Sequence, residues 1–503
     1  MRSKKAIKNV LSSLIVQIAT LICGFITPVL FIKEYGSEVN GLISSITQFL
    51  AYISLLDAGF GPVLKSVLYK PIAKKNKNEI EGLLKTSQKF FRRITYIFVG
   101  YIIILAIVYP LIVIEKFDFI FTFSLILIIS ISTFFEYFFG ITYKLFLQAD
   151  QKTYITSNIQ LIFLIINTVL VVLLIKLNFS IHLVKLVSSL IFVLRPLVQS
   201  IYVNKKYNFN IKESSEVKIK QKWVGLSQHI AAIIHGNTDV VVLTLFGNNI
   251  ALVSVYSVYY MVVNGIKRII QSFTGGIDSS FGDMYAKEEY DTLNKSFNIY
   301  ELIFHTITTI CFTCCMVLIV PFISVYIKEV SDINYIRPLF ATILVLSEFV
   351  HSIRLPYSSL TLAVGHFKET MKGAWVETIL NISLSIILVI KFGLIGVAIG
   401  TLVAMLVRTS EFIYHTNKYV LKRSILISIK KVILIVIETI LIVLCSNLLP
   451  EFSITSYLSW FIYAVIVFMF ASFITITLNY LFYKKDFHDL IKVLKKNIKR
   501  KIK

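Results

Sequence analysis

Acidic side chains are scarce in this sequence. Its 503 residues hold 28 Asp and Glu against 51 Lys and Arg, a net charge of +23, and charged residues of both signs make up only 16%. Soluble globular chains carry about 25% charged and 45–50% apolar residues. Here the hydrophobic share is 56% and the mean hydropathy is +0.78. The shortage of charge excludes a soluble enzyme of one to three domains, and the apolar surplus excludes a disordered chain. Cysteine is rare too: Cys23, Cys311, Cys314, Cys315 and Cys445 all fall in apolar runs. No His or carboxylate completes a metal set beside them, so they read as packing residues rather than zinc ligands or a disulfide. There is no GxxxxGK[ST] loop, no GxGxxG, no HExxH and no EF-hand pattern, which argues against ATP-driven transport by this chain alone. Period-two alternation is missing as well, which excludes an outer-membrane barrel.

What the chain does have is long apolar runs rich in Ile and Leu. A membrane-crossing helix needs about 20 residues. Runs of that kind place spans near 9–32, 41–69, 94–114, 119–147, 154–175, 180–203, 223–246, 250–281, 297–325, 337–363, 373–390, 394–415, 426–448 and 455–483. The expected fold is therefore all-α, a polytopic membrane protein with about 14 transmembrane helices. Arg2, Lys4, Lys5 and Lys8 before the first run resemble a signal peptide, but the run is too long and lacks a small-x-small cleavage site, so it reads as an uncleaved span. The spans 41–69, 250–281 and 337–363 carry several charges together with Gly or Pro, as helices lining a cavity do.

Basic residues supply an independent test of topology. With the N-terminus inside, cytoplasmic segments hold 38 of the 51 Lys and Arg, the opposite face holds 6 and the spans hold 7. This partition follows the positive-inside rule and puts both termini in the cytoplasm. It also explains the basic surplus without a nucleic-acid partner. The longest loops, 70–93 and 204–222, are basic and cytoplasmic, and the outer connections are short. In the tail, 484–503, Lys alternates with Leu490, Ile491, Val493, Leu494 and Ile498. That pattern reads as an amphipathic helix on anionic inner-leaflet lipids, or as a solvated basic tail.

Charges within the spans carry the functional signal, since each costs about 2.5–3.5 kcal/mol or more and must face a partner or a wet cavity. Lys65, Arg195, Lys267, Arg268, Arg354 and Arg408 are candidate substrate-binding cations for a phosphate-bearing ligand. Singly, each has a plainer reading as a paired or snorkelling charge: Glu411 follows Arg408 by three residues, and Lys185 lies near the outer interface. Asp57, in Leu55-Leu56-Asp57-Ala58-Gly59-Phe60-Gly61-Pro62, sits where the glycines and proline permit a bend. It reads as a gating or cation-coupling residue, or as one half of an ion pair with Lys65 or with a neighbouring helix. His235 and Asp239 form a polar patch one turn apart, with His235 a candidate proton-linked switch. Glu348, His351 and Arg354 recur every three residues on one stripe, where mutual neutralisation competes with binding. Glu136, Glu377 and Glu438 lie alone in apolar runs, where each is either protonated or paired. Tyr256, Tyr259 and Tyr260 fit either sugar stacking or packing. No cofactor, no metal and no catalytic residue is expected.

The run Gly41-Leu-Ile-Ser-Ser-Ile-Thr-Gln-Phe-Leu-Ala-Tyr-Ile-Ser-Leu-Leu-Asp57-Ala-Gly59-Phe-Gly61, with Asn237-Thr-Asp239, Arg354-Leu-Pro-Tyr357 and Gly365-His-Phe-Lys368, resembles polysaccharide transporters of the multidrug/oligosaccharidyl-lipid/polysaccharide exporter superfamily, nearest to the Wzx-type repeat-unit flippases. The resemblance implies two pseudo-symmetric six-helix lobes, 1–203 and 223–415, joined by the basic cytoplasmic linker 204–222. Spans 13 and 14 (416–483) and the tail 484–503 are then additions. A faint internal repeat sets Asp57 opposite Lys267 or Arg268, and Gly59 and Gly61 near Gly275 and Gly276. The implied activity is flipping of undecaprenyl-diphosphate-linked oligosaccharide (capsule, O-antigen or similar) across the bacterial cytoplasmic membrane by alternating access, with glycan polymerases as partners. One alternative is a cation-coupled multidrug antiporter of the same superfamily, whose cationic substrates should meet carboxylates rather than Lys and Arg. Another is a membrane-embedded glycan polymerase or transferase, which normally needs a larger outer loop than this chain has.

Overall fold

The structure, a computed structural model, describes residues 2–57, 59–211, 213–217, 219, 226–247, 249–272, 278–446 and 453–492. Gly275 and Gly276 of the expected repeat, most of the linker end 218–225, and Val493, Leu494 and Ile498 of the tail lie outside these residues. The described residues are helical throughout apart from turns and short connections. The chain folds as two compact units, Met1–Val241 and Val242–Lys503.

The first unit holds α1 (Arg2–Ala51), α2 (Phe60–Lys74), α3 (Lys77–Ile112), α4 (Phe119–Phe135), α5 (Ile141–Ala149), α6 (Thr153–Lys176), α7 (Ile181–Tyr207) and most of α8 (Leu226–Phe246). The second holds the end of α8, then α9 (Ala251–Ser272), α10 (Asp278–Ala286), α11 (Tyr290–Tyr326), α12 (Pro338–Ala363), α13 (Met371–Phe392), α14 (Leu394–His415), α15 (Leu426–Ser446) and α16 (Tyr457–Phe482). Local chemistry starts several of them. Asn76 caps α3 by accepting from the Glu79 N–H, Asp118 caps α4, and Ser456 and Ser459 form a reciprocal capping box on α16.

These helices are apolar on both faces. On α3, Phe98 and Tyr109 are buried while Ile104 is 62% exposed. An apolar exterior over an apolar core is the pattern of a helix solvated by lipid, and only helices or closed barrels satisfy their backbone there. Among the described residues, eleven helical stretches are long and apolar enough to cross a membrane. The fold is thus the all-α polytopic one expected, with instructive departures from the fourteen spans. The outer connection expected at 33–40 is present as a sharp break at Gly36, whose φ of 84° and ψ of 165° separate two helices within α1. The expected span 41–69 is divided. It begins in α1, passes through a 3-10 turn at Tyr52–Leu55 and resumes in α2 after Gly59 (φ 86°). α9 and α15 fall outside the eleven. α9 carries Asn264, Lys267 and Arg268 among its serines and tyrosines, and α15 carries Lys430, Lys431 and Glu438.

Candidate functional site

In the second unit, α12 presents Glu348, His351 and Arg354 along one stripe, and three neighbouring helices answer it. Lys267 of α9 lies 2.9 Å from Glu348, and both are buried. Arg354 donates to His351 Nδ1 at 2.8 Å and to Glu377 of α13 at 3.0 Å. Arg408 of α14 meets the other oxygen of Glu377 at 3.3 Å, pairs with Glu411, donates to the Thr370 carbonyl at 2.9 Å, and lies 4.3 Å from the ring centre of Phe412. One network therefore joins α9 to α12 and α12 to α13 and α14, with Lys267, Arg354 and Arg408 on Glu348, Glu377 and Glu411. Three cations face three carboxylates, so with His351 neutral the network carries no net charge. Desolvated ions of either sign would be prohibitive alone, and pairing is what lets them stay charged inside a bundle.

Five of the eleven candidate residues thus meet in one place. Arg268 does not join them, because it is exposed and points about 100° around α9 from the buried Lys267. Of the two readings open for Glu377, the structure shows the paired one, with the carboxylate shared by arginines of α12 and α14.

A second cluster of this unit escaped the sequence reading. Glu301 of α11 is fully buried. It receives Lys431 at 2.7 Å, Arg423 at 3.3 Å and Ser428 at 3.1 Å, and Tyr357 donates to it. Arg423 and Lys431 read from sequence as cytoplasmic topology charges, yet Lys431 is 4% exposed and the side chain of Arg423 8%. The signal available was a lone carboxylate in span 297–325; Tyr357 lies 56 residues away and the other partners more than a hundred, and no local pattern links them. Glu438 accepts from Asn479 at 2.8 Å between α15 and α16.

In the first unit, the chain leaves the helix at the expected bend. Asp57 is half-buried there and accepts from the Tyr137 hydroxyl at 3.1 Å. Lys65 is half-buried on α2 and forms no ion pair among the described residues, so the alternative Asp57–Lys65 pair is not made. Glu136, like Glu377, is shared: Arg195 reaches one oxygen at 3.0 Å and Lys144 the other at 3.5 Å. It opens a π-helical turn, Glu136–Gly140, a distortion that often marks functional positions. Gly140 fits there against Pro196, where an added Cβ would come within 2.6 Å. On α8, Asp239 is buried and His235 half-buried, with Tyr52 set against Thr238 and Asp239. Lys185 lies 4.2 Å from the Phe31 ring centre, a cation on an aromatic face. Tyr256 and Tyr259 are buried in the second unit, packed on Phe340, which favours packing over sugar stacking for these two.

No family model matches the chain, and no curated protein matches it. Solved structures do. The lipid II flippase MurJ, in an inward closed conformation, superposes with a TM-score of 0.67 at 16% identity, covering 96% of this chain and 100% of that one. An inward-facing multidrug resistance MATE family transporter of the MOP superfamily gives 0.60 at 14% identity, covering 81% and 98%. A MOP superfamily transporter from Pyrococcus furiosus gives 0.53 at 12%, covering 84% and 95%. The fold is that of these transporters.

Proposed function

We propose that this chain is a flippase that carries undecaprenyl-diphosphate-linked oligosaccharide from the inner to the outer leaflet of a bacterial cytoplasmic membrane. The observation that carries the reading is the extent of the likeness. The lipid II flippase matches 96% of the chain, whereas the MATE transporter matches 81%. The difference is close in size to 416–503, the segment holding α15, α16 and the tail. The lobes 1–203 and 223–415 would rock about a shared pathway, with both termini cytoplasmic and the tail against anionic lipid. Asp57, beside the α1–α2 break, together with His235 and Asp239, would serve gating or coupling. Glycan polymerases would take up the product outside.

The paired state of the cations refines the mechanism. A diphosphate entering the second unit would compete with Glu348 and Glu377 for Lys267 and Arg354. Exchanging one anionic partner for another keeps each cation compensated, and Glu377 retains Arg408, while the displaced Glu348 has to take up a proton or water; the ion pairs thus act as a latch that an anionic headgroup opens. In the first unit Lys65 and Arg195 offer a lesser positive surface. The balanced carboxylates favour a second reading, the cation-coupled drug antiporter, because a cationic drug would be drawn to the same glutamates.

Proteoliposomes loaded with fluorescent lipid-linked oligosaccharide separate the two. Expected is translocation that a membrane-impermeant quencher reports, slowed by Lys267→Gln and unchanged by Arg268→Gln. Absence of lipid translocation from vesicles that exchange ethidium for protons would overturn the flippase in favour of the antiporter.

A further inference from the structure

A cleft of about 820 Å³ opens in the first unit beside the π-helical turn that Glu136 begins. One wall is α3, which contributes Lys85, Lys89, Arg92 and Arg93, spaced four, three and one residues apart and so on one side of the helix. The floor is aromatic, with Phe138 and Phe139 of the π-helical turn and Tyr143 of α5. A polar relay crosses it: Gln88 donates to the Tyr143 hydroxyl at 3.1 Å, which donates to Asn204 of α7 at 3.2 Å. Arg92 and Arg93 immediately precede the apolar run that starts at Ile94, so the cleft lies where α3 enters the membrane.

Its electrostatics are one-sided. The only carboxylate among the lining residues is Glu216, on the segment after α7, 2.8 Å from Lys89. Lys89, with Lys85 and Arg93 nearby, holds that carboxyl below its usual range. Lys85 donates to the Ser214 carbonyl at 2.7 Å. Arg92 stacks on Phe138 at 5.2 Å, and neither Arg92 nor Arg93 forms an ion pair among the described residues. A guanidinium stacked on one face keeps its in-plane N–H fork available for phosphate oxygens. The chain thus already seats one anion of its own in a cleft with further cations to spare.

We propose that this cleft binds the phosphate headgroup of an anionic membrane lipid, with Arg92 and Arg93 on the phosphate and the Phe138–Phe139 floor against the start of the acyl or prenyl chain. Glu216 occupies part of the site as an internal competitor. The proposal goes beyond the transport reading and does not depend on it, since a resident phospholipid and a polyprenyl diphosphate present the same group.

The full chain in detergent, assayed by native mass spectrometry, tests it against four probes: phosphatidylglycerol, undecaprenyl phosphate, phosphatidylcholine and inorganic phosphate. Expected is retention of the two anionic lipids over phosphatidylcholine, weakened about a hundredfold by Arg92→Gln with Arg93→Gln, about tenfold for each charge-assisted hydrogen bond lost. Glu216→Gln should tighten the same binding, a gain that a misfolded variant would not produce. Preference between the two anionic lipids identifies the source, and binding of inorganic phosphate alone, sensitive to the same variants, would assign the site to a free phosphate. Equal retention of phosphatidylcholine, or anionic binding indifferent to all three substitutions, overturns the proposal.

Discussion

Glu377 holds two arginines, Arg354 at 3.0 Å and Arg408 at 3.3 Å, with all three side chains at least nine-tenths buried. Removing the shared carboxylate leaves Arg354 without a carboxylate partner among the described residues and Arg408 with Glu411 alone, and breaking a buried pair in this way costs about 3–5 kcal/mol. Glu377→Ala should therefore lower the Tm in detergent sharply, and more than Glu411→Ala, whose carboxylate is 29% exposed. An equal loss from both would show that the bridge is not structural. The Lys267–Glu348 contact invites a different experiment. Lys267→Glu and Glu348→Lys should each reduce folded yield on size-exclusion chromatography, whereas the double reversal should recover much of it, because the pair is restored with its polarity inverted. Residue-level features differ in how far sequence betrays them. The Glu348–His351–Arg354 stripe and the Arg408–Glu411 pair are legible because helical spacing brings residues three apart onto one face. Glu377 and Glu301 look solitary in sequence because their partners come from other helices, and no periodicity encodes which distant cation turns toward them.

At the scale of the element, hydropathy located nearly every helix, since apolar length is a constraint the bilayer imposes on each segment separately. It placed the junctions but not their form, because that depends on backbone conformation. Gly36 breaks α1 without leaving a loop, and Gly59 at φ 86° starts α2. Space is not the issue at Gly59: a Cβ there would meet nothing within 4 Å. Gly59→Ala should accordingly cost only the left-handed backbone penalty, about 1–2 kcal/mol, visible as a modest fall in Tm and without a change in folded yield. A much larger loss would mean that the break supports more than its own geometry. α15 is held differently. Its Lys431 meets Glu301 at 2.7 Å and Asp486 at 3.6 Å, while Ile442 packs with Ile310, Cys314 and Leu318 of α11 and with Val467 and Ala471 of α16. The ion pair and this apolar contact together tie the α15–α16 pair to α11.

For the molecule as a whole, the distribution of basic residues remains the strongest topological evidence, and it survives withdrawing the buried Arg423 and Lys431 from the cytoplasmic count. The weak link is α9, which bears two cations and falls outside the eleven clearly apolar stretches. Whether it crosses decides the sidedness of everything after it. A version of the chain with all five cysteines replaced, carrying single cysteines at Lys77, Asn178, Glu288 or Lys391, addresses this directly. Lys77 is 51% exposed at the start of α3, Asn178 sits exposed in the turn between α6 and α7, Glu288 follows α10, and Lys391 ends α13. Three expected spans separate each position from the next, so the sides must alternate. A membrane-impermeant maleimide should label Asn178→Cys and Lys391→Cys in intact cells, and Lys77→Cys and Glu288→Cys only after permeabilisation. Labelling of Glu288→Cys in intact cells would mean that α9 does not cross. Lys267 and Glu348 would then be an interfacial pair, and the latch assigned to them in transport would have to be abandoned.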